Sequence, residues 1–410
     1  MLPCRVPRNT ASVLHRFRTD SPLDVASAHL AAHNARTLEW QCAVTRIAAP
    51  TGQERARGAW MAAQFASIGW SDVTVDAVGN VIARRPDRDG AHGTAARAVC
   101  CCAHLDTVFS DPAPVVVQDG ARLTGPGIGD NGRGLAALLA LADALQAAAL
   151  YPPHDVVLVC TVGEEGLGDL CGMKHLLRDG ATVPHAVIAI DGAGDDRIVH
   201  AALGSSRFRV TYTGAGGHSW ADFGVANPVH AVAALAAALQ VVHLPHEPRT
   251  TLTIARIGGG ESINSVPREG WLEVDMRSHS ASVLSGLERT LHETAARIER
   301  AENGRRTSGT TPLTTDVTLL GQRPCGALAS DAPLVRIAER ATRDICGVPR
   351  LAMGSTDASV PIARGIPAIA IGAGGRGGST HTLNEWYDDT NGARGLERVL
   401  RIVTAAAGWR

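Results

Sequence analysis

Ala103-His104-Leu105-Asp106-Thr107 places an imidazole and a carboxylate two residues apart, where the small apolar run Ala98 to Cys102 stops. Such a run reads as a buried strand. Side chains two apart on a strand face the same way, so His104 and Asp106 leave it on one side. A carboxylate there accepts the ring N–H that a metal-bound histidine does not use, fixing tautomer and orientation. Taken alone, the pair is equally an ordinary hydrogen-bonded histidine and aspartate.

Further acids and one histidine extend the set: Asp130, Glu164, Glu165, Asp191 and His381. One bridging carboxylate, with a histidine and a terminal carboxylate for each ion, would make a two-metal site. Zinc takes nitrogen and carboxylate oxygen ligands in low coordination, leaving room for a water. Two such ions can activate that water and polarise a carbonyl together. Asp130 falls in a glycine-flanked turn before a helix, from which both ions are within reach. Glu164 and Glu165 adjoin at a strand end, where neighbouring side chains diverge. One can ligate while the other faces the water as a proton shuttle. The alternatives are two solvated acids in a turn, and for Asp191, which precedes Gly192, a helix N-cap.

These residues must be positioned by elements far apart in the chain. At 410 residues the chain is too long for one ordinary core, so two domains are expected. Residues 1 to about 69 read as helical with a break at Pro50-Thr51-Gly52, and Val73–Asp76 and Asn80–Ala83 as short strands about a glycine turn. A polar loop, Arg84 to Thr94, leads into the strand ending at His104, and Leu135 to Leu150 reads as a helix. Asp155–Thr161 and Ala186–Ile190 are aliphatic strands, ending at Glu164-Glu165 and at Asp191. Strands alternating with helices predict an α/β fold, a mostly parallel sheet with helices on both faces. Ligands in such sheets bind beyond the carboxyl ends of the strands, the address these acids share.

From residue 204 the pattern changes. Arg207–Tyr212, Thr251–Ile257, Trp271–Met276 and Thr314–Leu320 read as strands in hairpin-like succession, with helices at Val229–Val242 and Ser282–Ala301. An inserted α+β domain over 204–321 is expected, with the catalytic domain split into 1–203 and 322–410. The second part resumes with a helix Pro333–Cys346, a strand Ala368–Ile371 and a helix Arg394–Ala407.

A net charge of −1 gives no reason to expect nucleic acid or an anionic membrane as partner. No secretory signal is read in residues 1–20, and Asp143 and Gln146 interrupt the longest apolar stretch, against a membrane span. The nine cysteines form no CxxC, and Cys100, Cys101 and Cys102 share one buried strand. Reduced core thiols of a cytoplasmic protein are the expectation.

In the order His104-Leu105-Asp106, Asp130-Asn131, Glu164-Glu165, Asp191 and His381, the chain resembles the M20 family of dizinc metallopeptidases and amidohydrolases, from about residue 36 onward. That family includes peptidase T-like, carboxypeptidase G2-like, acetylornithine-deacetylase-like and carnosinase-like enzymes. The resemblance implies two zinc ions per subunit, one on His104 and Asp191, the other on Glu165 and His381, with Asp130 bridging. It implies that Asp106 orients His104, that Glu164 is the general base, and that the Asp130-Asn131 peptide is cis. It also implies that the insert carries a homodimer and lends His218, in Gly216-Gly217-His218-Ser219, to the partner's site to steady an oxyanion. Asn264 and Arg277 resemble the family's substrate-gripping pair, with Arg277 forking onto a carboxylate. Otherwise these three are a turn histidine, a turn amide and a strand-end charge.

Gly372-Ala373-Gly374-Gly375-Arg376-Gly377 comes after a strand and fits a dinucleotide-loop pattern, but the residues beyond it carry His381 and no helix start. Its glycines, Gly374 among them, are expected to let backbone amides approach a substrate terminus. Asp357, in Gly354-Ser355-Thr356-Asp357-Ala358, would pair with a substrate amine or cap a helix. This stretch and His381-Thr382-Leu383-Asn384-Glu385-Trp386 look closer to peptidase T-like members than to deacetylases. The expected activity is amide hydrolysis of di- and tripeptides. Cleavage of N-acyl or N-carbamoyl amino acids by the same chemistry is the alternative, and a non-catalytic dimeric binding protein a remote one. Cobalt or manganese could stand in for zinc.

Overall fold

The computed structural model describes residues 21–85, 98–110 and 114–409. Residues 1–20 and most of the expected loop over 84–94 lie outside them. Three helices come first: α1 (Pro22–Ala32), α2 (Asn34–Thr45) and α3 (Arg55–Ile68). Ser21 caps α1 in a reciprocal pair with Asp24, and Pro22 takes the first helical position, where its missing N–H costs nothing. The break at Pro50-Thr51-Gly52 separates α2 from α3.

Next come β1 (Asp72–Val75), β2 (Val81–Arg84), β3 (Val99–His104), β4 (Val117–Asp119), β5 (Arg122–Thr124), α4 (Gly132–Ala147) and β6 (Val156–Thr161). After these stand α5 (Cys171–Leu176), β7 (Ala186–Ile190) and β8 (Arg197–Ala202). The helix α4 starts at Gly132, not Leu135, because the Asn131 side chain accepts the Gly134 amide and draws the glycines into the first turn.

The middle of the chain holds β9 (Gly204–Thr213), β10 (Gly217–His218), α6 (Pro228–Gln240), β11 (Thr250–Gly259) and β12 (Ser265–Val266). It continues with β13 (Glu269–Ser278), α7 (Ala281–Arg305) and β14 (Thr314–Arg323). The chain closes with β15 (Gly326–Ala327), α8 (Pro333–Asp344), β16 (Arg350–Gly354), α9 (Ser359–Ala363) and β17 (Ala368–Ile371). Last are β18 (Arg376–Gly378), β19 (Trp386–Asp388) and α10 (Gly392–Ala406).

The main sheet runs β1-β2-β6-β3-β7-β17-β8-β15, with β16 added beside β8. Its centre, β6-β3-β7-β17, is parallel, as is β8 with β16. The outer pairings β1-β2, β2-β6, β17-β8 and β15-β8 are antiparallel. Strand β3 is buried along its whole length. Val99, Cys101 and Ala103 enter the core beneath α4, while Cys100 and Cys102 enter the core shared with α5 and α9. A strand covered on both faces needs apolar residues at successive positions, which three adjacent small thiols supply.

Strands β11-β13-β9-β14 form a separate antiparallel sheet. Alternate residues of β13 (Leu272, Val274, Met276) pack with Leu235 of α6 and Leu291 of α7 in a core of their own. A further small sheet, β18-β19-β5-β4, was not anticipated. Each of its strands has three residues, too few to carry a period. Among the described residues no helix is long and apolar enough to cross a membrane.

Candidate metal centre

Strand β3 lies between β6 and β7, so three carboxyl ends stand side by side. His104 closes β3, Glu164 and Glu165 come after β6, and Asp191 after β7. Asp106, fully buried, ties this edge together. Its Oδ1 accepts the Glu164 amide (3.0 Å), and its Oδ2 accepts the Glu165 amide (2.9 Å) and the Thr51 hydroxyl (2.9 Å). Burial opposes its charge, but the contacts with His104, the Glu165 amide and Thr51 prevail and hold the carboxyl below its usual range. Toward His104 the nearer acceptor is the Asp106 backbone carbonyl, 3.0 Å from Nδ1, with the carboxylate at 3.5 Å. Asp106 therefore orients the ring chiefly through its main chain.

Asp130 meets both histidines. Oδ1 lies 2.9 Å from His104 Nε2 and Oδ2 lies 3.2 Å from His381 Nε2. His381 Nε2 is also 2.8 Å from Glu165 Oε1, and His104 Nε2 is 3.9 Å from Asp191 Oδ1. His104, Asp130 and Asp191 form one group whose ligand atoms lie within 4.8 Å of one another, and Asp130, Glu165 and His381 form another. The five residues that the sequence scatters over almost three hundred positions thus meet at one place.

The turn holding Asp130 is fixed from two sides, and its peptide to Asn131 is cis. The Asn131 amide group donates to Ile190 O (2.8 Å), and its oxygen accepts the Gly134 (3.0 Å) and Gly192 (3.2 Å) amides, joining the turn to β7. Gly134 has to be glycine, because a Cβ would sit 2.8 Å from Ile190 O. From the other side Glu385, 1% exposed, accepts the amides of Gly127 (3.0 Å), Gly129 (2.9 Å) and Asp130 (2.7 Å). Sequence reasoning missed Glu385 as a site residue. Its only sequence signal was its place four residues after His381.

The charges are mutually uncomfortable. Burial and then the Asp130 charge push the Asp191 carboxyl up to about 7. Burial likewise raises Glu165 and raises Glu164 well above the usual carboxyl range. The Asp130 contact lifts His381 to about 9 against the effect of burial. Divalent cations relieve this crowding of carboxylates, and imidazole nitrogen with carboxylate oxygen is a donor set they take. The residues present fit such ions.

Glu164 is buried against Arg323, another residue the sequence reading missed. Arg323 Nη1 donates to Glu164 Oε1 (3.3 Å) and to Ser355 Oγ (3.1 Å), and Nη2 donates to the Glu164 carbonyl. Arg323 ends β14, so the separate antiparallel sheet reaches the loop that carries Glu164. Arg207 of neighbouring β9 does the same, donating to Gly166 O (2.5 Å).

The remaining predicted residues are more dispersed. Arg277 lines the cavity beside the ligand groups. His218 and Asn264 lie together on β10 and the turn before β12, where the Ser219 amide donates to Asn264 O (3.0 Å), and both are exposed. Neither lines a cavity next to the ligand groups of its own chain. Asp357 is a correction. It is 3% exposed, accepts the Thr161 hydroxyl on Oδ2 (2.5 Å), and leaves Oδ1 without a partner. Burial pushes it up to about 6. It lines neither of the two cavities beside the ligand groups and does not cap α9. Gly374 is the second correction. Its amide donates to Gly194 O (2.8 Å), and a Cβ would lie 2.6 Å from Gly395 Cα of α10. The glycine permits close helix packing and has no amide free for substrate.

A mostly parallel α/β sheet with clustered acids and imidazoles at its carboxyl edge, beside a separate antiparallel sheet, defines a metal-dependent hydrolase. The chain belongs to peptidase family M20/M25/M40, whose sequence profile matches residues 100–405. It shares its fold with aminopeptidase PepT from Bacillus cereus, at 21% identity and a TM-score of 0.70, over 91% of this chain and 98% of that one. A tripeptidase from Staphylococcus aureus gives 21% identity and a TM-score of 0.72, again over 91% and 98%. An amidase of the hydantoinase/carbamoylase family from Burkholderia vietnamiensis gives 17% and 0.67, over 95% and 99%. No curated protein sequence matches the chain.

Proposed function

We propose that this protein is an exopeptidase that hydrolyses the amide bond of short peptides, using two zinc ions per subunit. The observation that carries the reading is the Asp130 carboxylate, with one oxygen toward each of two imidazoles. His104 and Asp191 would hold one ion, Glu165 and His381 the other, and Asp130 both. When bound, such a pair supplies Lewis acidity, polarising an amide carbonyl and acidifying a water. Cobalt or manganese would fit the same donors.

The chain's own groups do the rest. Glu164, raised by burial and held by Arg323, takes a proton from the water and delivers it to the leaving nitrogen. Asp106 keeps the Glu164 and Glu165 amides in register with His104. In His218, Nδ1 accepts the Trp220 (3.1 Å) and Ala221 (3.3 Å) amides. The ring proton is therefore on Nε2, as donation to an oxyanion requires.

His218 serves the site of a second copy in this reading, which makes the protein a homodimer through the insert. Support comes from Trp220 (87% exposed), Phe223 (84%) and Ile263 (103%), an apolar set around His218. The free thiols of Cys100, Cys101, Cys102 and Cys160 inside the core agree with a cytoplasmic setting. A second reading, cleavage of N-acyl or N-carbamoyl amino acids, draws on the fold shared with the hydantoinase/carbamoylase-family amidase. A panel of di- and tripeptides beside N-acetyl and N-carbamoyl amino acids, with and without chelator, tests both. Chelator-sensitive peptide cleavage is expected, and exclusive cleavage of N-carbamoyl substrates would overturn the first reading.

A further inference from the structure

A cavity of about 750 Å³ lies where the main sheet and the separate antiparallel sheet join. Leu284 and Glu288 of α7 and Leu319 of β14 form one wall, and Lys174 of α5 and Val360 of α9 the other. It contains none of the ligand residues, and shares only Arg323 with the cavity that holds Glu164. We infer that this cavity binds a free α-amino acid with an apolar side chain, as its zwitterion, and that the occupant acts on Glu164 through Arg323.

Two residues of the wall have buried atoms without partners. Arg323 is 6% exposed, and spends Nη1 on Glu164 and Ser355 and Nη2 on the Glu164 carbonyl. Its Nε is buried and has no hydrogen-bond partner among the described residues. Asp169 accepts from Lys174 Nζ on Oδ2 (2.5 Å), but its Oδ1 is buried and equally without a partner. A ligand that pairs with both recovers what their isolation costs.

The neighbouring charges decide what that ligand carries. Lys174 is taken by Asp169 and the Gln322 carbonyl (2.8 Å), and Arg364 by the Leu177 carbonyl. Glu288 accepts the Ser206 hydroxyl and the Gln322 amide (3.0 Å) on Oε1, and its Oε2 has no partner among the described residues. What remains is a donor on one cation and acceptors on two anions. A simple anion would face the acid oxygens, and a simple cation the guanidinium. A carboxylate and an ammonium on one carbon answer both signs. The rest of the wall (Leu284, Leu319, Pro324, Val360 and Ala363) is apolar surface that a hydrocarbon side chain covers and water does not.

Arg323 carries the effect to the chemistry. A carboxylate held on Nε draws on the same guanidinium charge that holds Glu164, so the occupant changes turnover and leaves the substrate's own contacts in place. Resting on the amide-hydrolase reading, free amino acids are the products, and this cavity makes a product a modulator from outside the cleft.

The test uses the metal-loaded protein, with leucine, N-acetyl-leucine and leucinamide as probes. Ser285→Trp fills the cavity from its exposed rim. Calorimetry should find a leucine site that this variant abolishes, and loss of either charge on the probe should weaken binding at least about tenfold. Asp169→Asn should weaken leucine binding while leaving that of N-acetyl-leucine unchanged. In steady state, leucine should lower kcat for a tripeptide without changing KM. In Ser285→Trp protein, with basal kcat/KM within about twofold of the parent, that effect should vanish and only competition in the cleft, a rise in KM, remain. No leucine binding, binding that survives Ser285→Trp, or equal binding of the three probes overturns the site. An effect of leucine on KM alone in the parent overturns the link to Glu164. Failure to hydrolyse any peptide overturns the hydrolase reading, and leaves the calorimetric test of the site in force.

Discussion

One carboxylate, that of Asp130, lies 2.9 Å from the His104 ring and, through its other oxygen, 3.2 Å from the His381 ring. The two histidines are drawn from opposite ends of the catalytic fold, one closing β3 and the other coming after β18. A single side chain in contact with both makes the two ligand groups interdependent. Asp130→Ala should therefore abolish binding at both positions, whereas His381→Ala should spare the ion held by His104 and Asp191. Metal analysis after dialysis distinguishes the two outcomes.

Glu164→Gln keeps the shape and the Arg323 contact but removes the proton carrier. A loss in kcat of about 10²–10⁴ is expected, the usual worth of general acid–base catalysis. Metal content and KM should stay near the parent values. A variant within threefold of the parent kcat would remove Glu164 from the mechanism.

Glu385→Ala strips the acceptor from three backbone amides behind Asp130. Orphaned buried donors cost about 1–3 kcal/mol each. Loss of an outer residue that positions a ligand typically weakens metal binding about 10–100-fold. Calorimetry should show a lower melting temperature, and a competing chelator should strip the metal sooner. Unchanged metal affinity would mean that the Asp130 turn holds itself.

Acidity sets the metal-free state. His381 is raised from 6.5 to about 9 and Asp191 from 3.8 to about 7, so both are favoured by keeping their protons in the fold. The His381 contribution is complete below about pH 6.5 and vanishes as pH rises through 9; that of Asp191 fades from about pH 4 through 7. Metal-free protein should melt at falling temperature from pH 5 to 9. Cation binding requires both groups deprotonated, so affinity and metal-induced stabilisation should rise over the same range. A stabilisation that is flat with pH would contradict the assignment of these two ligands.

Much of this was legible in the chain because parallel strands in buried sheets announce themselves as aliphatic runs, and His104, Glu165 and Asp191 come where such runs stop. Glu385 and Arg323 were not legible, because each acts on a partner far away in sequence: Glu385 on Asp130, 255 residues off, and Arg323 on Glu164, 159 residues off. No local pattern marks such a contact. Asp357 was misread for the opposite reason. Its Gly-Ser-Thr-Asp setting looks like a solvent-facing turn, and only the folded sheet shows that Thr161 and the core close over it.

Burial of Asp357 yields a prediction of its own. Asp357→Asn preserves an acceptor for the Thr161 hydroxyl and should change KM for free-amine and amino-blocked substrates equally. A selective rise in KM for free-amine peptides would restore a role for this carboxylate in reading an amine.

The most direct measurement is the number of divalent ions bound per chain, by elemental analysis of native protein and of Asp130→Ala. Two per chain in the native protein, and none retained by the variant, is the expected result. One ion or none at saturating metal, or two retained without Asp130, would contradict the account.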